Sequence, residues 1–159
     1  MPKVIMVCGR ICSGKSTYAS RLHRDNGAAV LSVDELMLTL FGQHCGDMHD
    51  EYAKRTQNYL FCKSVELIES GIDVILDWGF WTKAARTAAR EFYMSRGIMC
   101  EFHYVDIDDD TWRERIKKRN AEVASGDALA YYVDEGLAAK FAGRFEQPEC
   151  DEIEVYVKI

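Results

Sequence analysis

The sequence predicts a three-layer α/β domain in which helices cover both faces of a mostly parallel β-sheet. Two patterns and a size argument predict it. Short apolar runs alternate along the chain with segments of helical periodicity, which is the order that gives parallel βαβ units. The first run is almost continuously apolar, as expected for a strand that is covered on both faces. A chain of 159 residues, 48% of them hydrophobic, has the length and composition of one domain with a sizeable core.

The strands are recognised as apolar, β-branched runs bounded by turn or charged residues. They are predicted at residues 3–8, 28–33, 72–76, 98–105 and 153–159. In the last run the odd-numbered residues are apolar and the even-numbered ones are polar. That alternation predicts a strand with one polar face, which is exposed or lies at the edge of the sheet.

The helices are recognised from apolar residues spaced three or four apart. They are predicted at residues 15–26, 50–70, 82–96, 111–120 and 134–145. Gly27, Gly71 and Gly97 follow the first three helices and are expected to end them. Residues 35–50 have a mixed character, with glycines that break any long helix.

Two local expectations concern how particular helices begin and pack. Thr82 is expected to cap the helix over 82–96. The inner stripe of that helix is predicted to be Ala85, Ala88, Ala89 and Phe92. Thr111 and Glu114 have the spacing of a capping box for the helix over 111–120.

Charge and cysteine content exclude several classes of protein. With 20 Lys and Arg against 26 Asp and Glu, the formal net charge is −6, which excludes a generally basic protein that coats nucleic acid. No run approaches the roughly 18 apolar residues of a membrane helix, and the apolar stretch Val4–Cys8 is too short for a signal peptide. The six cysteines form no CxxC pair, so we expect reduced thiols rather than a zinc ribbon. These features predict a cytoplasmic protein without membrane contact, either a monomer or a homodimer.

A glycine-rich motif lies between the first strand and the first helix. Residues 9–16, GRICSGKS, match the pattern G-x-x-x-x-G-K-[ST] in the strand–loop–helix context that this pattern requires. Its glycines allow backbone N–H groups to turn inward around phosphate oxygens, and the N-terminus of the following helix adds positive charge. The motif predicts a P-loop that binds the phosphates of a nucleoside triphosphate.

The phosphate-binding residues are expected to be Gly9, Arg10, Ile11, Cys12, Ser13, Gly14, Lys15, Ser16 and Thr17. Lys15 is expected to reach the β- and γ-phosphates, and the Ser16 hydroxyl is expected to bind Mg²⁺. Cys12 is small enough to leave the phosphates unobstructed. Arg10 is expected to point to solvent, because charged side chains are mostly exposed, with contact to an incoming substrate as the alternative.

Two aspartates follow predicted strands and are expected at the same edge of the sheet. Asp77 ends the third strand and is a candidate for holding Mg²⁺ through water, with a turn or capping role as the alternative. Asp34 follows the second strand and is a candidate for accepting the proton of a hydroxyl. The alternative for Asp34 is an N-cap of the turn that follows, and one residue can combine both roles.

Several arginines lie on the helix that follows the fourth strand. Arg115 and Arg119 are four residues apart and share one face, where they can neutralise charge on a transferring phosphoryl group. The alternative is a solvated charged face, which the pair Glu114 and Lys118 would also serve.

Aromatic and histidine residues leave further alternatives open. Trp78, Phe80 and Trp81 directly follow Asp77. They either form a stacking wall for a substrate ring or pack in the core. His44 and His49 lie in the irregular segment before the second helix, and their spacing does not define a metal site.

The sequence resembles the small P-loop kinases of the AAA-33 type, whose relatives are polynucleotide 5′-hydroxyl kinases, zeta-toxin-like kinases and chloramphenicol phosphotransferase-like enzymes. The resemblance covers most of the chain. Its carrying pieces are GRICSGKS at 9–16, VLSVDEL at 30–36, VILDWGF at 74–80 and WRERIKKRN at 112–120. The first piece is specific for nucleotide binding, and the others count mainly through their order and spacing.

The resemblance implies a single P-loop kinase-like domain over residues 1–159, with five parallel strands in the order 2-3-1-4-5 and a small helical lid near 113–135. It implies ATP and Mg²⁺ as ligands, and transfer of the γ-phosphate of ATP to a hydroxyl group. The general base of the family maps to Asp34, and its lid arginine maps to Arg119, with Arg115 as the second choice.

Two departures from the family pattern bear on the substrate. Polynucleotide kinases of this type tend to carry an arginine three residues beyond the base, whereas this chain has Met37 there. The Gly-Pro-Gly style of loop is also absent, with Ile11 and Cys12 in those places. Met37 and the net charge of −6 together favour a small-molecule acceptor. The alternatives are an ATPase or nucleotide switch without an acceptor, and a polynucleotide 5′-hydroxyl kinase.

Overall fold

A five-stranded parallel sheet forms the centre of the computed structural model, which describes residues 1–159. Its strands are β1 (Lys3–Cys8), β2 (Ala29–Ser32), β3 (Val74–Asp77), β4 (Met99–Asp106) and β5 (Val155–Lys158). The strands lie in the order β2-β3-β1-β4-β5, and every pairing is parallel. The predicted α/β fold class and the strand order implied by the resemblance are therefore both confirmed.

Six α-helices connect and cover the strands. They are α1 (Lys15–Asn26), α2 (Val33–Phe41), α3 (His49–Glu69), α4 (Lys83–Met94), α5 (Asp109–Ser125) and α6 (Glu135–Arg144). Short 3₁₀ turns occupy Gly46–Met48 and Cys150–Glu152. None of the helices combines the length and the apolar composition needed to cross a lipid bilayer.

The central strand β1 is buried on both faces, as its apolar run predicts. Val4, Met6 and Cys8 belong to one apolar cluster, which includes residues of α2, α3 and α4. Ile5 and Val7 belong to a second cluster, on the side of α1. All five side chains are at most 2% exposed, and each buried aliphatic side chain of this size stabilises the fold by roughly 1.5–3 kcal/mol.

The strand register brings the carboxyl ends of the inner strands to one level. Asp77 of β3 pairs with Val7 of β1 and with Ser32 of β2. The connection after β1 leads to β2 on one side of the sheet, and the connection after the adjacent strand β3 leads to β4 on the other side. This is the switch point at which open α/β sheets form a ligand crevice.

The helix starts confirm one predicted cap and correct another. Thr82 accepts a hydrogen bond from Ala85 N at 3.1 Å and caps α4, as predicted. The predicted capping box of Thr111 and Glu114 is wrong. Asp108 caps α5 instead, because its carboxylate accepts from Thr111 N at 2.9 Å, so the helix begins at Asp109. The helix also continues past the predicted end near residue 120 and ends at Ser125.

The predicted inner stripe of α4 is wrong in part. The buried residues of this helix are Arg86, Ala89 and Tyr93, whereas Ala85 and Ala88 are exposed. The buried stripe is rotated because the helix buries the charged residue Arg86. Apolar periodicity does not predict a buried charge. Ala85 and Ala88 therefore face the crevice rather than the core.

The charge of Arg86 is fully satisfied within the fold. Its guanidinium forms an ion pair with Glu152, with Nε 3.0 Å from Oε1. It also donates to Phe80 O at 3.0 Å and to Glu146 O at 2.9 Å. These contacts fix the segment after β3 and the segment after α6 to α4. A buried ion pair of this kind is tolerated because each nitrogen of the guanidinium has a hydrogen-bond partner.

Candidate active site

A crevice of about 1610 Å³ opens at the carboxyl ends of the strands. It is lined by the loop after β1, the starts of α2 and α3, the segment after β3, and residues of α5 and α6. The predicted site residues on its wall are Ile11, Cys12, Gly14, Lys15, Ser16, Thr17, Asp34, Asp77, Arg115 and Arg119. The structure therefore brings together residues that lie more than a hundred positions apart in the sequence. Gly9, Arg10 and Ser13 belong to the loop but do not line the crevice.

The glycine loop has the backbone geometry that its motif predicts. Gly9 and Gly14 have φ values of 153° and 100°, in the region that favours glycine. A Cβ on Gly9 would lie 2.6 Å from Val105 O, and one on Gly14 would lie 2.6 Å from Arg115 Nη1. Gly9 therefore requires glycine for space as well as for conformation, because its close neighbour is a backbone oxygen, whereas Gly14 requires it for conformation, since the Arg115 side chain can move. Cys12 also has a positive φ, 58°, which costs about 1–2 kcal/mol for a residue with a side chain.

Lys15 lies across the inner side of the loop. Its ammonium donates to Arg10 O at 2.6 Å and to Gly9 O at 3.1 Å. Burial lowers the pKa of Lys15, and the negative charges of Asp77 and Asp34 oppose that effect. The ammonium is thus held at the start of α1 by carbonyl oxygens and by the field of two carboxylates.

Asp77 and Asp34 belong to different kinds of element, a strand and a helix. Asp77 ends β3 as predicted and is 7% exposed. The predicted second strand ends one residue early, at Ser32, and Asp34 lies in the first turn of α2. Ser32 caps that helix by accepting from Glu35 N at 3.3 Å, so the capping alternative for Asp34 is wrong.

The carboxylate of Asp34 is accessible to solvent and makes no hydrogen bond or ion pair within the protein. Desolvation by the surrounding walls raises its pKa, and the negative charge of Asp77 raises it further. The positive charges of Lys15 and Arg119 oppose these effects. A carboxylate in this setting binds a proton more readily than an ordinary surface aspartate does.

Helix α5 is fastened directly to the glycine loop. The indole N–H of Trp112 donates to Ile11 O at 2.6 Å, and Arg115 Nη1 donates to Ser13 O at 3.2 Å. Arg10 pairs with Asp109, with Nη1 2.7 Å from Oδ1, and its guanidinium lies 4.8 Å from the centre of the Trp112 ring. The expectation that Arg10 points to solvent is wrong, because the start of α5 offers this side chain both an anion and an aromatic face.

An apolar cluster strengthens the same junction. Cys12 of the loop packs with Ile107, Trp112 and Val133, and Leu137 of α6 lies against them. The loop, α5 and the start of α6 therefore form one packed unit above the sheet. The positive φ of Cys12 places its thiol in this cluster, where burial raises the pKa of the thiol.

Arg119 lines the crevice together with its predicted partner Arg115. Its charge acts on the pKa values of Lys15, Asp34 and Cys12, which places it beside the predicted phosphate-binding residues. Arg115 also lines the crevice, but its guanidinium donates to the loop itself. Arg119 is thus the arginine whose charge acts on Asp34 and Lys15, and Arg115 supports the loop.

The aromatic residues after Asp77 divide between core and wall. Trp78 and Phe80 are buried, belong to the main apolar cluster and stack with ring centroids 5.1 Å apart. Trp81 is partly exposed, and its ring centroid lies 4.6 Å from that of Phe141 in α6. Packing is therefore the observed role of Trp78 and Phe80, while all three also line the crevice.

Sequence reasoning missed a small cluster beside Asp34. His49 begins α3 and lines the crevice, with its Nδ1 3.4 Å from Cys45 Sγ. The ring of Tyr131 meets the His49 ring edge-on at 5.6 Å. A positive charge on His49 lowers the pKa of Asp34. No sequence spacing could reveal this cluster, since its members come from a short turn, a helix start and a distant loop.

These features define a P-loop fold of the kinase-like kind: a glycine loop between the central strand and a helix, in a parallel sheet of order 2-3-1-4-5, with helices closing over it. The sequence profile of the AAA_33 family, described as an AAA domain, matches residues 4–148. The chain belongs to that family. A search of curated protein sequences gives no match.

Solved structures share the fold at low sequence identity. A protein of Chloroflexus aurantiacus provisionally described as a kinase has a TM-score of 0.74 and 16% identity, and the match covers 99% of this chain and 84% of that one. An APS kinase of Mycobacterium tuberculosis, in complex with AMPPNP and APS, has a TM-score of 0.68 and 20% identity, over 99% and 88% of the two chains. A chain of the Pnkp1/Rnl/Hen1 RNA repair complex has a TM-score of 0.73 and 19% identity, over 90% and 43%.

Proposed function

We propose that this protein is an ATP-dependent kinase that transfers the γ-phosphoryl group to a hydroxyl of a small-molecule acceptor. The observation that carries the proposal is the accessible and unpaired carboxylate of Asp34, which shares one crevice with Lys15 and Arg119. A nucleotide-binding loop alone would need no such base. Similarity to an APS kinase and to other kinases of the same fold supports the assignment.

The residues present fit a nucleotide and its metal ion. The loop has the glycine conformations at Gly9 and Gly14 that let its backbone N–H groups turn toward phosphate oxygens. Lys15, Arg119 and the N-terminus of α1 supply positive charge at one place. Ser16 and Asp77 offer the oxygen ligands that Mg²⁺ prefers, and the ion would neutralise phosphate charge there.

The proposed mechanism relies on positioning and charge. Lys15 and Arg119 stabilise negative charge on the transferring group. Asp34 orients the acceptor hydroxyl and accepts its proton. The acceptor oxygen forms a bond to the γ-phosphorus while the bond from that phosphorus to the β–γ bridging oxygen breaks, so the products are a phosphorylated acceptor and ADP.

The structure weighs against a polynucleotide acceptor despite the fold similarity to a chain of an RNA repair complex. The position where polynucleotide kinases of this type tend to carry an arginine holds Met37, which is 1% exposed and accepts a hydrogen bond from Thr56 at its sulfur. No side chain at that position could reach a phosphate of the acceptor without repacking α2 against α3. The net charge of −6 adds a repulsive field for a polyanion.

The proposal is tested by transfer of label from ATP carrying a radioactive γ-phosphate, with Asp34→Asn as the variant. We expect Asn at this position to reduce transfer by about 10²-fold or more, because the hydroxyl proton loses its acceptor, while the affinity for ATP changes only a few-fold. Glu35→Gln is the matched control, since Glu35 is the exposed neighbour on the same helix and lies outside the crevice wall.

Retained transfer in Asp34→Asn would remove Asp34 from the mechanism. If wild-type protein released ADP at one rate whatever hydroxyl compounds were present, and the label appeared only in inorganic phosphate, the protein would be an ATPase rather than a kinase.

A further inference from the structure

The crevice extends beyond the aspartates into a slot between α3 and α4. We name it the acceptor slot. Its apolar wall residues are Ala53, Phe61, Trp78, Ala85, Ala88 and Phe92, and Lys54, Gln57, Asn58 and Cys62 of α3 line the same stretch of the crevice. The whole crevice, at about 1610 Å³, exceeds the range of roughly 300–1,000 Å³ that is typical of a pocket for one small ligand. The acceptor slot therefore offers volume for a second molecule beside a nucleotide.

The α4 wall of the acceptor slot is apolar where a helix surface is normally polar. Ala85 and Ala88 are exposed on this wall, and Phe92 continues it one turn further. Solvent-facing positions of a helix usually carry polar residues, whereas these positions carry methyl groups and a ring. Small side chains at both positions leave space next to the helix rather than filling it.

The floor is aromatic, and the opposite wall combines Phe61 with the polar residues Gln57 and Asn58. Phe61 of α3 meets Trp78 edge-on, with ring centroids 5.3 Å apart, and its centroid lies 5.0 Å from that of Phe92. Trp78 is 8% exposed and is fixed by its stack on Phe80. These rings pack against one another, so the acceptor slot has a rigid apolar surface.

Charge is distributed unevenly along the crevice. The partly buried cations Lys15, Arg115 and Arg119 all lie at the glycine loop or at its contact with α5. The other cations of the crevice wall, Lys54 and Lys140 among them, are exposed at its rim. An anionic acceptor would find no buried cation in the acceptor slot. A polyol would place hydroxyl groups against the alanine and aromatic surfaces of α4 and the floor, which is unfavourable, and Gln57 and Asn58 on the α3 side would pair with only some of them.

We infer that the acceptor is an uncharged alcohol whose body is an apolar ring or chain, which occupies the acceptor slot and presents its hydroxyl to Asp34. This inference rests on the proposed function and narrows its substrate class. The alcohol oxygen forms the new bond to phosphorus, ADP leaves with the electrons of the broken bond, and the alcohol proton passes to the carboxylate.

The test compares alcohols that share a primary hydroxyl and differ in their bodies. The acceptors are 3-phenyl-1-propanol, D-gluconate, glycerol and a 5′-hydroxyl oligothymidylate, each with ATP labelled at the γ-phosphate. We expect kcat/KM for the aryl alcohol to exceed the other values by at least about tenfold, because apolar burial alone gives discrimination of this size. Saturable binding of the aryl alcohol is measured separately by tryptophan fluorescence.

Variants that narrow the acceptor slot test whether the aryl alcohol binds there. Ala88→Leu and Ala85→Leu place a larger side chain in the acceptor slot while leucine remains a good helix former. Both are expected to weaken binding of 3-phenyl-1-propanol by at least about tenfold, with the KM for ATP within about twofold of wild type. Ala84→Leu is the matched control, because Ala84 is exposed on the same helix and does not line the crevice.

Failure of the inference differs from failure of the proposed function. Equal or better phosphorylation of gluconate, glycerol or the oligonucleotide would overturn the substrate class and leave a kinase. Absence of saturable aryl alcohol binding, or equal effects of Ala88→Leu and Ala84→Leu, would also overturn it. Binding of the aryl alcohol that Ala88→Leu abolishes, with label found only in inorganic phosphate, would support the apolar slot and refute the kinase.

Discussion

The two ends of the crevice are built in opposite ways. The phosphate end consists of backbone from one continuous loop, with Lys15 and Arg119 as its cations and α5 fastened onto it by Trp112. The acceptor slot consists of side chains alone, drawn from α3, the segment after β3 and α4, and its surface is apolar on the α4 side and the floor. The backbone of the phosphate end comes from one continuous loop, whereas the acceptor slot is assembled from distant residues.

Under the proposed function, this difference separates phosphoryl transfer from the selection of the acceptor. Backbone amides and a lysine can hold any nucleoside triphosphate by its phosphates, and that end is fixed by steric requirements at Gly9 and Gly14. The acceptor slot depends on side-chain volume at positions such as Ala85 and Ala88, which can change without strain in the backbone. We therefore expect substitutions at the phosphate end to abolish turnover and substitutions in the acceptor slot to redirect it.

The largest effect is expected from Lys15→Ala. Loss of the ammonium removes the main cation of the phosphate end, and we expect ATP turnover to fall by at least about 10³-fold. ADP release measured at saturating ATP checks this, with circular dichroism to verify folding. Turnover close to wild type would show that the loop is not the phosphate site. The distinction between a phosphate end and an acceptor slot would then be wrong.

A smaller loss is expected from Arg119→Ala. Arg119 faces Asp34 and Lys15, so its removal takes away one charge that stabilises the transferring group, and we expect kcat to fall by about 10²-fold. Arg113→Ala is the control, because Arg113 is exposed on the same helix outside the crevice wall. Equal effects of the two substitutions would mean that α5 contributes only general positive charge.

The raised pKa of Asp34 gives a pH-dependent prediction. At pH values between the pKa of Asp34 in the unfolded state and its higher pKa in the folded state, the folded protein binds the proton more tightly. The free energy of unfolding that this group contributes therefore falls as the pH rises through that range. At pH 7 the desolvated charge destabilises the fold, and Asp34→Asn should have a higher Tm than wild type. At a pH below both values the carboxyl is neutral in both states, and we expect the Tm difference to shrink.

The same pKa can be followed directly. Carboxyl-carbon NMR titration of Asp34 should give a value above that of exposed aspartates, and Asp77→Asn should lower it, because the charge of Asp77 raises it in wild type. A titration of Asp34 in the ordinary aspartate range would remove the physical basis of its assignment as the base.

The smallest effect is expected from a matched pair of tryptophan substitutions. Trp112→Phe deletes the N–H that donates to Ile11 O at 2.6 Å, which should cost about 1 kcal/mol and lower Tm by roughly 2–4 °C. Trp81→Phe deletes a buried indole N–H that has no hydrogen-bond partner, so the same change of ring should lower Tm less or raise it. Thermal unfolding of both variants checks this order. A larger loss for Trp81→Phe would refute the fastening of α5 to the loop.

The contrast between the two ends also explains how far the sequence could be interpreted. The strand–helix alternation and the contiguous glycine motif predict the fold and the phosphate end, because both are local patterns. The aspartates at strand ends are predictable for the same reason, since the parallel sheet aligns its carboxyl ends. The role of Asp34 remains a proposal, but its place in the crevice follows from position along the chain.

The parts that sequence reasoning missed depend on tertiary contacts. The rotation of α4 follows from the buried ion pair of Arg86 with Glu152, whose members are 66 residues apart. Arg10 turns inward because Trp112 and Asp109, about a hundred residues away, offer it partners. Apolar periodicity assigns charged residues to the surface, so neither arrangement could be predicted from spacing alone.

The most direct test of the account is a calorimetric titration of the folded protein with ATP in the presence of Mg²⁺. The account predicts saturable heat at one nucleotide per chain in wild type, and heat that is lost or strongly weakened in Lys15→Ala. No heat from ATP or from any other nucleoside triphosphate, or equal binding by wild type and Lys15→Ala, would contradict it.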